Sequence, residues 1–158
     1  MAFESGGGRP ARKPSVPLRA LVLCLWMAFI WGHSLRDGTA SSGESDFFAR
    51  LKPIMDLLGA MGVTSWSDRT FLVRKMAHFI EYTVLGIFGW RLSNAMRTKS
   101  RAATRLIALL VCLVPVVDEA IQLFVPGRSG RVTDVLLDLS GVAFGAVLSL
   151  AISKIARR

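Results

Sequence analysis

Residues 105–155 read RLIALLVCLVPVVDEAIQLFVPGRSGRVTDVLLDLSGVAFGAVLSLAISKI. Two long apolar runs, at about 105–124 and 135–155, flank a short connector that is rich in glycine and arginine. A helix needs about 20 mainly apolar residues to cross the hydrocarbon core of a bilayer. Each run has that length, so this stretch predicts two membrane-spanning helices that are joined by a tight turn.

Two further apolar runs lie upstream, at about 18–35 and 71–92. Basic residues precede the first of them, as in a signal peptide. That run is long, however, and it lacks a small-residue cleavage site before the acidic loop, which favours an uncleaved helix. The sequence therefore predicts an all-α membrane protein, a bundle of four transmembrane helices in a membrane domain at 18–155. A basic N-terminal tail at 1–17 precedes the domain, and an outer loop at 36–70 joins the first two spans.

The composition agrees with a membrane bundle that has basic flanks. The chain has 158 residues, of which 52% are hydrophobic, and its formal net charge is +9. Because the basic residues lie between the apolar runs and not on one soluble face, nucleic acid is not an expected partner. The two cysteines, Cys24 and Cys112, lie inside apolar runs without metal-ligand spacing, and we interpret both as apolar fillers.

The basic residues between the runs predict the orientation of the chain. The N-terminal tail, the segment between the second and third spans, and the C-terminus are all basic and together hold one acid, Glu4. In a four-span arrangement these three segments lie on the same side, and the excess of lysine and arginine places that side in the cytoplasm. Both termini are therefore predicted to be cytoplasmic, whereas the loop at 36–70, which mixes acids and bases, faces outward.

The outer loop contains a predicted short amphipathic helix. Its first part, 37–45, is rich in glycine, serine and threonine and predicts a turn. Pro53 is expected to split or bend the helix that follows, Trp66 is an expected interfacial anchor, and Ser67 is an expected N-cap of the second span. The apolar residues that recur at helical spacing, and that we expect to lie in the outer interface, are Phe47, Phe48, Leu51, Ile54, Met55 and Leu58.

Polar residues lie near the outer ends of the last three spans. An ionisable side chain inside a membrane is costly and usually faces the protein interior or water. Antiparallel packing would bring the three groups to one level beneath the connector, which predicts an outward-facing polar site. The blander interpretation is a set of structural ion pairs, for example between His78 and Glu81. The site residues are Lys75, His78, Glu81 and Tyr82 in the second span, Asp118, Glu119 and Gln122 in the third, Asp134 and Asp138 in the fourth, and Arg128 in the connector.

Two segments resemble the VanZ-like family of bacterial membrane proteins. They are RKMAHFIEYTVLG at 74–86 and DEAIQLFVPGRSGRVTDVLLDLSGVAFG at 118–145, and the segment HSLRDGTASSGES at 33–45 also fits. The resemblance covers about 18–150. By resemblance, the family motif falls on Lys75, His78, Glu81, Tyr82, Asp118, Glu119, Gln122, Pro126, Gly127, Arg128, Asp134 and Gly141.

The resemblance implies a place in the bacterial cytoplasmic membrane and a role at the cell envelope. The founding member of the family is linked to lowered susceptibility to teicoplanin, a lipoglycopeptide antibiotic. One position departs from the pattern, since the family often has asparagine where this chain has Asp138. The departure adds a possible negative charge, so a role that needs a neutral amide at this position does not carry over.

The first function hypothesis is a membrane enzyme that acts on an envelope lipid or a lipid-linked headgroup. Glu119 would be its general acid or base, His78, held by Glu81, would transfer protons, and Arg128 would hold a phosphate. No nucleophilic serine or cysteine motif supports this hypothesis. The remaining polar residues would bind the ligand, and they are Lys75, Tyr82, Asp118, Gln122, Asp134 and Asp138.

No cofactor is expected, although a metal-dependent variant of the enzyme is an alternative. The nearby cations Lys75 and Arg128 disfavour a metal. The ligands in that variant would be His78, Glu81, Glu119 and Asp134.

Two other classes of function remain open. A non-catalytic protein would bind a membrane lipid or an amphiphilic antibiotic through the 47–58 helix. A small transporter is the weakest hypothesis, because the chain lacks broken-helix repeats. For both the enzyme and the non-catalytic binding protein, the partner is a membrane lipid or a lipid-linked envelope component.

Overall fold

The computed structural model describes residues 15–36 and 38–157. Within these residues the chain is all α-helical and has no strand. The helices are α1 (Val16–Ser34), α2 (Gly38–Ala49), α3 (Lys52–Ala60), α4 (Trp66–Met96), α5 (Arg101–Gln122) and α6 (Val132–Ile155). Nearly all of the predicted N-terminal tail lies outside the described residues.

Each predicted span matches one long helix, namely α1, α4, α5 or α6, with ends that differ by a few residues. The all-α prediction is therefore confirmed. Two of these helices, α1 and α6, are long and apolar enough to cross a membrane by length and composition alone. The other two carry more ionisable residues: α5, for example, holds Arg101, Arg105, Asp118 and Glu119.

The outer loop differs from its prediction in two respects. The stretch after residue 37 is helical, as α2, and not a turn. The N-cap of α4 is Ser65 and not Ser67, and its side chain makes no capping hydrogen bond. The expected split of the amphipathic helix near Pro53 is observed, since α2 and α3 separate at Arg50 and Leu51. Pro53 lies in the first turn of α3, where the backbone nitrogen has no helical hydrogen-bond acceptor.

The long helices alternate in direction. Arg19 of α1 donates to the carbonyl of Arg91 over 2.8 Å, and Trp26 donates to the carbonyl of Glu81 over 3.0 Å, so α1 runs antiparallel to α4. Residue numbers rise together in the contacts between α4 and α6, from Lys75–Asp134 through His78–Asp138 to Thr83–Gly145, so these two helices are parallel. One end of the bundle therefore gathers the end of α1, the start of α4, the end of α5 and the start of α6. We call it the connector end, because the 123–131 connector lies there.

Glycines allow α4 and α6 to pack backbone against backbone. A Cβ atom on Gly145 would overlap the carbonyl oxygen of Thr83, and one on Gly86 would overlap the carbonyl oxygen of Val142. A Cβ atom on Gly141 would lie 2.8 Å from the carbonyl oxygen of Phe79. Gly141 and Gly145 therefore lie in close contact with the backbone of α4, and this contact fixes the level at which α4 and α6 present their polar residues.

Candidate functional site

Four titratable side chains from three helices meet at the connector end. We call His78, Asp118, Glu119 and Asp138 the carboxylate cluster. One ligand atom of each lies within 4.8 Å of the others. Asp118 and Asp138 are 0% exposed and Glu119 is 4% exposed. Buried carboxylates are costly unless they are paired, so this grouping needs a compensating partner.

Hydrogen bonds hold two of the carboxylates from one side only. Gln122 donates to Oδ2 of Asp118 over 3.1 Å, and the backbone N–H of Arg131 donates to Oε2 of Glu119 over 2.8 Å. Among the described residues, the other oxygen of each carboxylate accepts no hydrogen bond, and neither oxygen of Asp138 does. Each acid of the cluster therefore keeps at least one buried oxygen available.

Within the carboxylate cluster His78 lies beside Asp138, and its ring also packs against Tyr82. Its Nδ1 atom lies 3.6 Å from Oδ1 of Asp138, which is an ion-pair distance but too long for a hydrogen bond. The imidazole also stacks on Tyr82, which is fully buried. The expected pairing of His78 with Glu81 does not occur, because α1 places another histidine beside Glu81.

A second group of polar residues, His33, Arg36, Glu44 and Glu81, lies beside the carboxylate cluster. Nδ1 of His33 lies 3.3 Å from Glu81, and Nε2 lies 3.0 Å from Glu44 of α2. Arg36 also pairs with Glu44. Partial burial raises the pKa of the Glu44 carboxyl, but the hydrogen bonds from His33 and Arg36 outweigh it and leave that pKa below its usual value. The group ties α2 to the end of α1.

A cavity of about 150 Å³ opens beside the carboxylate cluster. We call it the basic cavity, because Asp134 is the only acid among the described residues that line it, and Lys75 neutralises that acid in an ion pair. Its arginines form no ion pair with any described residue. The lining residues are Phe71, Arg74, Lys75, His78, Gln122, Gly127, Arg128, Ser129, Arg131 and Asp134.

The basic cavity suits an anion. Burial lowers the pKa of the Arg128 guanidinium, since it removes water from the charged group. An anion in the cavity would replace that lost solvation, and guanidinium groups bind phosphate oxygens in a bidentate manner. His78 and Gln122 line the cavity and also touch the cluster, so the cavity gives access to the buried carboxylates.

The structure brings together most of the residues that the sequence selected. Glu81 and Tyr82 lie outside the carboxylate cluster and the basic cavity, although the ring of Tyr82 stacks on His78 from the core. Arg74 and Arg131 were not selected, although the first precedes Lys75 and the second lies in the connector. Ser34 was missed because α1 carried no predicted site residue, yet its hydroxyl lies 3.4 Å from Gln122.

The ligand set of the metal-dependent alternative also changes. Two of its four proposed ligands have other partners, since Glu81 contacts His33 and Asp134 pairs with Lys75. The side chains that could jointly hold an ion are instead the four of the carboxylate cluster.

The described residues thus form a helical bundle with a cluster of polar side chains at one end. The VanZ/LLP1 family model matches residues 20–153. The chain belongs to this family, as the two sequence segments predicted. No curated protein and no solved structure matches the chain.

Proposed function

We propose that the chain is a four-span protein of the bacterial cytoplasmic membrane whose basic cavity opens outward and binds a phosphate-bearing headgroup of an envelope lipid. The four long helices have 19, 31, 22 and 24 residues. At about 1.5 Å per residue each reaches roughly 28 Å or more, which is close to the thickness of a bilayer core.

The distribution of side chains supports the four-span arrangement. Large apolar side chains cover the outer surface of all four long helices, whereas the carboxylates lie inside. A soluble protein rarely leaves so much contiguous apolar surface exposed. Examples with more than half of the residue exposed are Leu25 in α1, Ile80 in α4, Leu109 in α5 and Val147 in α6.

Cysteine labelling in intact cells tests this topology. Both native cysteines are replaced by alanine, and a single cysteine is then placed at the exposed Ser129 of the connector or at the exposed Thr98 of the α4–α5 loop. A membrane-impermeant maleimide should label Ser129→Cys in intact cells, because the connector lies outside. Thr98→Cys should react only after the cells are permeabilised. Labelling of both variants in intact cells would exclude the arrangement.

The single observation that carries the functional proposal is the basic cavity. The three arginines among its described lining residues, Arg74, Arg128 and Arg131, form no ion pair with another described residue, and His78 links the cavity to the carboxylate cluster. Lipid headgroups are the anions available at the level of a membrane interface, and arginine is well suited to their phosphates. The family's link to teicoplanin adds the expectation that occupancy of this site changes how the envelope responds to lipoglycopeptides.

Loss of one arginine should weaken headgroup binding. The full chain, purified in detergent, is titrated with dihexanoyl phosphatidic acid and followed by calorimetry. Arg128→Gln should reduce affinity by about 10-fold or more, since a charge-assisted hydrogen bond contributes about 1.5–3 kcal/mol. Dihexanoyl phosphatidylcholine should bind more weakly, because the positive choline group of its headgroup balances the negative charge of its phosphate.

Arg97→Gln is the matched control, because it removes an arginine from the opposite end of the bundle, where a separate shallow cavity lies. It should leave the affinity unchanged. Equal affinities for the wild type and Arg128→Gln would contradict the proposal, as would equal losses in the two variants.

A second candidate function, an enzyme that acts on the same headgroup, is favoured by the position of His78. Its imidazole lines the cavity and contacts the buried Asp138. It could therefore exchange a proton with a group held by the arginines, while Asp138 orients the ring. Glu119 lies deeper, so in this arrangement His78 is the group nearest to the ligand.

A further inference from the structure

No lysine or arginine among the described residues forms an ion pair with an acid of the carboxylate cluster. Asp118, Glu119 and Asp138 contribute three acids, and His78 is the one basic side chain whose ligand atom lies among them. Lys75 lies nearby, but it pairs with Asp134. Like charges at this separation in a buried site either share protons or bind a cation.

The hydrogen bonds around the cluster resemble those around the ligands of a metal. Gln122 fixes one oxygen of Asp118, and the N–H of Arg131 fixes one oxygen of Glu119, whereas the second oxygen of each is left without a partner among the described residues. Metal-binding carboxylates are commonly held in this way, with one oxygen oriented by a donor and the other free to coordinate.

Asp138 provides an independent observation. It is 0% exposed, and neither of its oxygens accepts a hydrogen bond from a described residue. Its nearest cationic group is Nδ1 of His78, at 3.6 Å. A fully buried carboxylate with two free oxygens is costly in a protein interior, and a bound cation would satisfy both oxygens.

We infer that His78, Asp118, Glu119 and Asp138 form a binding site for one divalent transition-metal ion of the Mn²⁺ type. One imidazole with three carboxylates is a donor set that such ions accept, whereas Ca²⁺ prefers oxygen donors alone. In an octahedral shell with bonds of about 2.1 Å, ligand atoms lie roughly 3.0–4.2 Å apart. The observed limit of 4.8 Å needs only small side-chain rotations to reach that range.

The site has an entry path, because His78 belongs to the cluster and also lines the basic cavity. An ion bound here would lie at the floor of the cavity, where it could meet phosphate oxygens held by Arg128. That last link rests on the proposed function. The metal site itself does not, since its ligands come from the protein alone.

Titration with Mn²⁺ tests the inference. The full chain is purified in lipid nanodiscs, treated with a chelator that is then removed, and titrated with Mn²⁺ while free ion is measured by electron paramagnetic resonance. The nanodiscs contain only phosphatidylcholine, so no anionic lipid takes part. The wild type should bind one ion per chain, and Zn²⁺ should displace it.

Asp138→Asn should lower the affinity by at least about tenfold, because loss of even an orienting residue costs that much. Asp68→Asn is the matched control, since Asp68 is an exposed acid in the first turn of α4, at the same end of the bundle but outside the carboxylate cluster and the basic cavity, and this variant should bind Mn²⁺ as the wild type does. If Asp138→Asn does not fold, as judged by its helical circular dichroism, His78→Gln replaces it and should show the same loss.

Two results would overturn the inference. A folded wild type that binds neither Mn²⁺ nor Zn²⁺ saturably would indicate that the carboxylates share protons instead. Binding that persists unchanged in Asp138→Asn or His78→Gln would place the ion elsewhere. A wild type that does not bind phosphatidic acid, or an Arg128→Gln variant that binds it as tightly as the wild type, would contradict the proposed function but would change neither result, so the metal site and the proposed function are tested separately.

Discussion

Gly145→Ala is expected to destabilise the protein strongly, although the change adds only one methyl group. The new Cβ atom would overlap the carbonyl oxygen of Thr83 and would lie 2.9 Å from its carbonyl carbon and 3.0 Å from the backbone nitrogen of Ile87. Backbone atoms cannot rotate away as a flexible side chain can, so α4 and α6 must separate. Overpacking of this kind costs about 1–3 kcal/mol, and the midpoint of thermal unfolding in detergent should fall by several degrees.

Gly32→Ala is the matched control for that experiment. Gly32 also lies in a helix, α1, but a Cβ atom there would meet nothing within 4 Å. The substitution should be neutral or slightly stabilising, because alanine favours the helical conformation more than glycine does. If Gly145→Ala melts at the same temperature as the wild type, then α4 and α6 do not pack as closely as described.

The consequence of that packing extends to the site. Separation of α4 from α6 would draw His78 away from Asp138 and Lys75 from Asp134, since each pair joins these two helices. A partly folded Gly145→Ala protein should therefore lose site function before it loses helix content. The glycines and the acids of α6 lie on the same face of the helix, which packs against α4, with the small residues deep in the bundle and the acids near its end.

The positions of the long helices could be predicted from the sequence because each apolar run is long and ends in polar residues. The level of the site also followed from the sequence. A connector of nine residues joins the end of α5 to the start of α6. Because Asp118 is near the first of these points and Asp138 near the second, so short a connector brings the two acids close together whatever the detailed packing.

Partners across helices could not be predicted in the same way. The spacing of His78 and Glu81 put both on neighbouring positions of one helix, and it suggested that they pair. Which helix faces Glu81 depends on the rotation of α1, and the sequence carries no signal for that rotation. Once α1 presents His33, its Nδ1 atom lies 3.3 Å from Glu81, and His78 is left to Asp138.

The first part of the outer loop was mispredicted for a related reason. Glycine and serine have low helix propensity, so 37–45 suggested a turn. The structure stabilises α2 by tertiary contacts: Ala49 is fully buried and packs in a small core with Leu58 and Val73, and α2 contacts α4. Local propensity is a weak signal beside such packing. Of the predicted interfacial face, Phe47 and Phe48 are exposed, whereas Leu58 faces the protein.

Glu119→Gln is expected to abolish cellular function while leaving the fold intact. Glu119 accepts the N–H of Arg131 through Oε2 at 2.8 Å, and the amide oxygen of glutamine can accept the same hydrogen bond. The change therefore keeps the connector in place and removes one negative charge from the carboxylate cluster. Cells that express the wild type should show lowered susceptibility to teicoplanin, and cells that express Glu119→Gln at matched membrane levels should show none of that shift.

Asp68→Asn is the control, because Asp68 is an exposed acid in the first turn of α4, on the same side of the membrane in the proposed topology but away from the cluster. It should retain the full shift. If the wild type and Glu119→Gln shift susceptibility equally, then the negative charge of Glu119 is not needed for function. The exposed Phe47 and Phe48 of α2 then become the better explanation, which is tested by replacing them with polar residues. If neither protein shifts susceptibility, membership of the family gives this chain its fold but not that role, and the headgroup and metal titrations alone decide what the cavity binds.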